Sequence, residues 1–245
     1  MKKEKSKEKT YDLVFGIHPI IELLKAKKRK LITIYTTKPY PKAWDQIAPL
    51  LSKETQLQCV SRDVLTRLAQ TTDHQSVVAW ATPLVIRKKF FEPAKSPFLL
   101  LLDGVQDPRN VGAILRSAYC TGVDGVILCG KNSAPLNATV YKSSAGLAEH
   151  MDIYMATTAL AALQDIRKAG YLVYLATLDG DNATEVTYKL PSCLVIGNEA
   201  TGISKSLYQY GMRVCLPQRT TDISYNASVA AGILLFLMAH QSGKI

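Results

Sequence analysis

Phe98-Leu-Leu-Leu-Leu-Asp103 is apolar at every position before its terminal aspartate, and it runs straight into the polar segment Gly104-Val-Gln-Asp-Pro-Arg-Asn110. A strand that is apolar on both faces suits a parallel sheet, where helices cover both sides. The same alternation recurs outward from this point. Asn110–Thr121 places Val111, Ile114, Leu115 and Ala118 at helical spacing. Gly125–Cys129 reads as a strand, Thr157–Ala169 as a helix and Tyr171–Thr177 as a strand. Cys193–Gly197 and Arg213–Leu216 are further strands, and Ala227–His240 is a helix. Repeated strand–helix units predict an α/β domain, a parallel sheet covered by helices. The last helix is apolar nearly all round, which calls for burial on most sides and suggests a subunit interface.

The chain has 245 residues and is 47% apolar, enough for one or two domains and too apolar for disorder. Its net charge of +10 is unevenly placed: residues 1–95 hold 19 Lys/Arg and 9 Asp/Glu, whereas residues 96–245 hold 11 of each. The excess concentrates in the tail, in Lys25–Lys30 and in Arg87-Lys88-Lys89, which predicts a polyanionic partner for the N-terminal half. Residues 1–10 read as a disordered basic tail and residues 83–97, rich in proline, as a linker between modules spanning 11–82 and 98–245. In the first module His18–Lys25, Ala43–Ser52 and Val64–Ala69 read as helices, and Leu31–Thr36 and Val77–Ala81 as strands. That is a small α/β domain.

Several function classes fall away. The longest strongly apolar stretch, Val229–Ala239, has 11 residues and is too short to span a bilayer. The opening residues MKKEKSKEKT lack the apolar core of a secretory signal. Five cysteines with no C-x-x-C spacing fit a reducing cytoplasm rather than a disulfide framework or a zinc site, and the four histidines are scattered, so no metal is expected. None of the 14 glycines forms a G-x-G, which removes the dinucleotide fingerprint. Gly197–Gly202 has phosphate-loop spacing, but Ile203 stands where the lysine should be. No G-x-S-x-G provides a hydrolase nucleophile.

Polar residues gather instead beyond the carboxyl ends of the predicted strands, where ligands bind in parallel α/β sheets. Three loops stand out: 103–110, Asn198-Glu199, and the segment ending in Ser224-Tyr225-Asn226. Each residue also has a plain structural role open to it. Asn110, Ser224 or Asn226 can cap a helix, Glu199 can sit at a helix N-terminus, and Arg116 can form an ion pair. The ordered set carries more weight than any member.

That set resembles the SpoU/TrmH family of RNA ribose 2′-O-methyltransferases, of the knotted SPOUT class. The first family motif is matched by Leu102-Asp-Gly-Val-Gln-Asp-Pro-Arg-Asn-Val-Gly-Ala-Ile-Leu-Arg-Ser-Ala118. The second is matched by Leu194-Val-Ile-Gly-Asn-Glu-Ala-Thr-Gly-Ile-Ser204. The third is matched by Leu216-Pro217 and Ser224-Tyr-Asn-Ala-Ser-Val-Ala-Ala-Gly-Ile-Leu-Leu235. Lys142–His150 resembles the segment between motifs, while Val14–Leu24 and His74–Ala79 resemble the L30e-like substrate-binding domain fused to many members. The resemblance implies a C-terminal sheet ending in a deep trefoil knot, a homodimer, and S-adenosylmethionine as cofactor. It implies cofactor contacts at Thr177, Leu178, Gly197, Leu216 and Tyr225. It implies a catalytic set of Asn110, Arg116, Glu199, Ser224 and Asn226, with Asn110 and Glu199 holding Arg116. The type most resembled methylates a guanosine ribose of large-subunit rRNA in the cytoplasm. A tRNA ribose methyltransferase and a non-catalytic RNA-binding factor with a degenerate knot stand as alternatives. Tyr225 replaces the family's usual leucine, Ala227 its usual valine, and loop 218–222 lacks the usual glycine.

Overall fold

A computed structural model describes residues 11–130, 133–220 and 223–245. The predicted basic tail lies outside the described residues. The described residues form two compact units, divided between Val85 and Ile86.

The first unit runs β1 (Asp12–Phe15), α1 (Ile17–Ala26), β2 (Leu31–Thr36), α2 (Trp44–Ile47), β3 (Gln56–Cys59), α3 (Arg62–Ala69) and β4 (Val77–Ala81). Its sheet has the order β1-β4-β2-β3. β4 pairs antiparallel with β1 and β2, and β2 pairs parallel with β3. Val14, Ile20, Ile34, Ile47, Leu65 and Val77 fill the core. The helix expected over 43–52 is a single α-turn followed by a 3-10 turn at Ala48–Leu50. Pro49 lacks the N–H that would continue the α ladder. Arg29, from the basic run, points inward: its guanidinium pairs with Asp12 at 2.7 Å and donates to the Thr82 carbonyl. That residue is structural and not part of a basic surface. His74 is fully buried. Its Nδ1 accepts from the Ser76 N–H at 3.0 Å, which leaves the ring proton on Nε2, 3.1 Å from Thr66 Oγ1.

The second unit runs β5 (Phe98–Leu102), α4 (Pro108–Cys120), β6 (Gly125–Cys129), α5 (Ala138–Ser143), β7 (Ile153–Ala156), α6 (Ala159–Lys168), β8 (Leu172–Asn182), β9 (Ser192–Ile196), β10 (Met212–Cys215) and α7 (Ala227–Gln241). All six strands are parallel, in the order β10-β8-β9-β5-β6-β7. β5, β6 and β9 are buried throughout, as an apolar run on both faces requires. The order progresses from β5 through β6 and β7 on one side and through β9, β8 and β10 on the other. Such a reversal opens a crevice at the carboxyl ends of the strands.

Residues 86–97 are no free linker. The Arg87 N–H donates to the Ile153 carbonyl, and its guanidinium lies 4.7 Å over the Phe91 ring. Phe91 is buried against Gly125, where a Cβ would come within 2.2 Å of the ring. Prolines made the segment read as a connector, whereas its two phenylalanines anchor it. α7 begins and nearly ends where its sequence places it, yet Val229, Ile233 and Phe236 leave an apolar stripe exposed.

Candidate active site

Three loops supply the polar residues. After β5 the backbone turns at Gly104, with φ at 74°, and α4 starts at Pro108. Asp107, not Asn110, is the N-cap: its carboxylate accepts from the Arg109 N–H at 2.8 Å. Asn110 is thereby free to reach sideways from the first turn. Its amide donates to Glu199 Oε1 at 3.0 Å and accepts from Asn226 Nδ2 at 3.2 Å. A carboxylate can only accept, so the Asn110 amide can face only one way. Glu199 also accepts from the backbone N–H groups of Gln106 and Asp107, at 3.1 and 3.3 Å. Asn226 caps α7 through the Ser228 N–H at 2.8 Å and joins the network at the same time. One side chain performs both roles that the sequence left as alternatives.

Partial burial pushes the Glu199 carboxyl up, but the donors on Asn110, Gln106 and Asp107 outweigh it and hold it below its ordinary value. Asn198, named in the sequence as part of a polar loop but given no role there, locks the loop beside it. Its amide donates to the Gly104 carbonyl at 2.7 Å and accepts from the Ala200 and Thr201 N–H groups. A polar residue directly after a buried strand was the available signal.

A cleft of about 400 Å³ opens beside this network. Thr177, Leu178, Gly197, Leu216 and Tyr225 all line it, as do Glu199 and Ser224. One wall is an arch in β8. Arg213 pairs with Leu175 but Val214 pairs with Asp181, so residues 176–180 bow out of the ladder. Gly180 closes the arch where a Cβ would lie 2.4 Å from the Arg213 carbonyl carbon. Gly197 is equally constrained, with the Gly202 carbonyl carbon 2.4 Å from its missing Cβ. Tyr225 stands partly exposed, its hydroxyl 3.4 Å from the Pro217 carbonyl oxygen. Asp179, Lys205, Tyr208 and Gln218 also line the cleft and had no distinguishing pattern. Thr221 and Asp222 of the 218–222 loop lie outside the described residues.

Arg116 departs from expectation. It is exposed on α4, makes no hydrogen bond or ion pair with a described residue, and does not line the cleft. At about 100° per residue, six positions put it roughly 120° around the helix from Asn110. Asn110 and Glu199 therefore hold Asn226 and the α4 entry rather than Arg116.

The cleft fits an amphipathic cofactor. Pockets for such ligands run from about 300 to 1,000 Å³ and are mainly apolar with a few fixed polar groups. Thr177 Oγ1 is buried with no hydrogen-bond partner among the described residues. An orphaned hydroxyl inside a cleft is satisfied by a ligand or by water.

A cleft beyond the carboxyl ends of parallel strands, with carboxamides and a carboxylate at its rim and no glycine fingerprint, marks a ligand-binding α/β domain that is not of the dinucleotide-fingerprint type. The chain belongs to the SpoU rRNA methylase family, which residues 97–236 match. Residues 13–85 match the RNA 2′-O ribose methyltransferase substrate-binding domain. Among particular proteins, the chain is 31% identical to the 23S rRNA (guanosine-2′-O-)-methyltransferase RlmB of Shewanella oneidensis, over 95% of this chain and 98% of that protein. It is 32% identical to the human mitochondrial rRNA methyltransferase 1, over 94% of this chain and 73% of that one. An AdoMet-bound rRNA methyltransferase from Sinorhizobium meliloti shares the fold with a TM-score of 0.78 at 24% identity, covering 94% of this chain and 87% of that chain.

Proposed function

We propose that the protein transfers a methyl group from S-adenosylmethionine to a ribose 2′-hydroxyl of RNA, at a guanosine of large-subunit rRNA. The observation that carries this is the Asn110–Glu199–Asn226 network at the rim of a cleft lined by all five expected cofactor positions. Near-full-length similarity to RlmB supports the guanosine and the rRNA. Thr177, Leu178, Gly197, Leu216 and Tyr225 would hold the cofactor, which when bound supplies an activated methyl group with its own leaving group.

The chain's residues then have positioning work to do. Aligning a hydroxyl with an electrophilic carbon can lower a barrier by several kcal/mol, on the order of 7–11 in the best-oriented cases. The network fixes three loops around the ribose, and Ser224 closes the rim. Arg116 is too basic to take the hydroxyl proton. Exposed and unpaired, it is placed to hold a substrate phosphate and so orient the ribose. The first unit is the RNA-binding module, L30e-like over residues 11–82, and the second closes in a trefoil knot. The exposed stripe of Val229, Ile233 and Phe236 on α7 is the homodimer face. No helix among the described residues is long and apolar enough to cross a membrane, and the proposed work on bacterial-type ribosomal RNA would be done in the cytoplasm.

The test is incubation with methyl-labelled S-adenosylmethionine and unmodified large-subunit rRNA, followed by digestion to nucleosides. Label in 2′-O-methylguanosine is expected; label in another nucleoside, or none, overturns the assignment. Arg116→Lys keeps the charge but not the planar fork, and a rise in KM larger than the fall in kcat is expected.

A further inference from the structure

Tyr40 is stacked on Trp44 in the first unit, with ring centroids 4.9 Å apart and planes only 6° from parallel. Trp44 is 7% exposed and serves as the base of the stack, while Tyr40 is 42% exposed. One face of Tyr40 is therefore covered and the other is open. Its edge is fixed as well: the hydroxyl oxygen lies 4.0 Å from the Cys59 thiol at the end of β3.

The fold explains why this ring stands where it does. β2 and β3 are parallel, and Thr36 pairs with Cys59, so both strands end on the same side of the sheet. Beyond β2 the chain reads Thr37-Lys-Pro-Tyr-Pro-Lys-Ala43, and beyond β3 it reaches Arg62 at the start of α3. Lys38, Lys42 and Arg62 are exposed, and none makes an ion pair with a described residue. The nearest acidic residues in sequence, Asp45 and Asp63, each lie in the first turn of the following helix.

We propose that Tyr40 is a stacking platform for an unpaired RNA base, with Lys38, Lys42 and Arg62 holding the adjoining phosphates. The inference rests on the RNA-binding role proposed for the first unit, and it gives that role a place and a mode. A flat ring with one free face, presented at low entropy cost and ringed by unpaired cations, matches the two halves of a nucleotide. RNA bases are read mainly where they are unstacked from a helix, and aromatic faces are the usual receptors. An apolar protein partner would leave the three cations without counter-charges.

The experiment uses the full chain and a short unstructured RNA oligonucleotide carrying one fluorescent aminopurine. Stacking quenches that base, so the readout is separate from methylation. Wild type and Tyr40→Phe are expected to bind and quench alike. Tyr40→Leu is expected to lose the quench and about 5- to 140-fold in affinity, the range for removing one base–aromatic stack. Lys38→Ala with Lys42→Ala should flatten the salt dependence by roughly 1.4 in log–log slope, two single-strand phosphate contacts. Thermal melts of each variant confirm folding. An unquenched wild type, or Tyr40→Leu with unchanged affinity and quench, overturns the proposal. Binding of a protein in place of RNA would appear as the first of these outcomes. Labelled methylation of rRNA, run in parallel, tests the function itself and can succeed while the platform fails.

Discussion

Replacing Glu199 with Gln changes no volume and removes one charge from the centre of the site. The carboxylate receives three hydrogen bonds: Gln106 N–H on Oε2, and Asp107 N–H and Asn110 Nδ2 on Oε1. Glutamine keeps one oxygen. The best arrangement leaves that oxygen on Asp107 and Asn110 and turns an NH₂ toward the Gln106 N–H. One bond is lost to a donor–donor contact, and two fall from charge-assisted to neutral. Charge-assisted bonds contribute about 1.5–3 kcal/mol and neutral ones about 1. Glu199 is partly open to solvent, which screens much of the difference. The net loss is about 1–2 kcal/mol, or roughly 2–8 °C in Tm for a chain of this size. The assay is thermal unfolding of both proteins across pH. The folded carboxyl lies below its ordinary value. Its stabilisation is therefore fully present above the unfolded pKa and lost as pH falls through the folded one. The gap between wild type and variant should be constant near neutrality and close in acid. A gap that persists once the carboxylate is protonated, or that is absent at neutral pH, refutes the reasoning.

Gly197→Ala places a Cβ about where the Gly202 backbone is, 2.4 Å from its carbonyl carbon, with no side chain able to move aside. It should cost about 1–3 kcal/mol of stability and remove cofactor binding measured by calorimetry. Thr177→Val removes the orphaned hydroxyl; the ligand-free protein should gain about 1 kcal/mol in chemical denaturation while cofactor affinity falls. Ser76 sits at φ 61°, so Ser76→Gly should raise the stability of the first unit by about 0.5–1 kcal/mol, again by denaturation.

The parallel sheet was legible because β5 and β9 are apolar at nearly every position, a pattern few other environments tolerate. The short edge strands were not. β3, Gln-Leu-Gln-Cys, is exposed throughout and exists because β2 offers it a hydrogen-bonding edge. β7 and α5 are too short for periodicity to emerge. The arch at 176–180 arises from a register shift against β10, a relation between strands that neither sequence carries alone. At the site, every cofactor position that the resemblance implied lines the cleft, though only Gly197 and Leu216 directly follow a strand end, Thr177 and Leu178 lying within β8 and Tyr225 in the segment before α7. Asn110 was harder to read. Asp107-Pro108 is the stronger helix start, and recognising it as such releases Asn110 for the network. The isolation of Arg116 from that network follows from helical phase and was open to calculation. The expectation of a knot rests on resemblance alone, since threading leaves no trace in periodicity.

The bond between Asn110 and Glu199 spans 89 positions, and that between Asn226 and Asn110 spans 116. During synthesis, the β5 loop leaves the ribosome long before its partners exist. A nascent chain can complete β5, β6 and β7 and pair them, yet the rim of the cleft waits for α7 to arrive and be capped. Closing such loops is entropically slow and comes late in folding. If the rim acts as proposed, a chain whose last helix is not yet seated lacks Asn226 at the rim, however much of its sheet has formed.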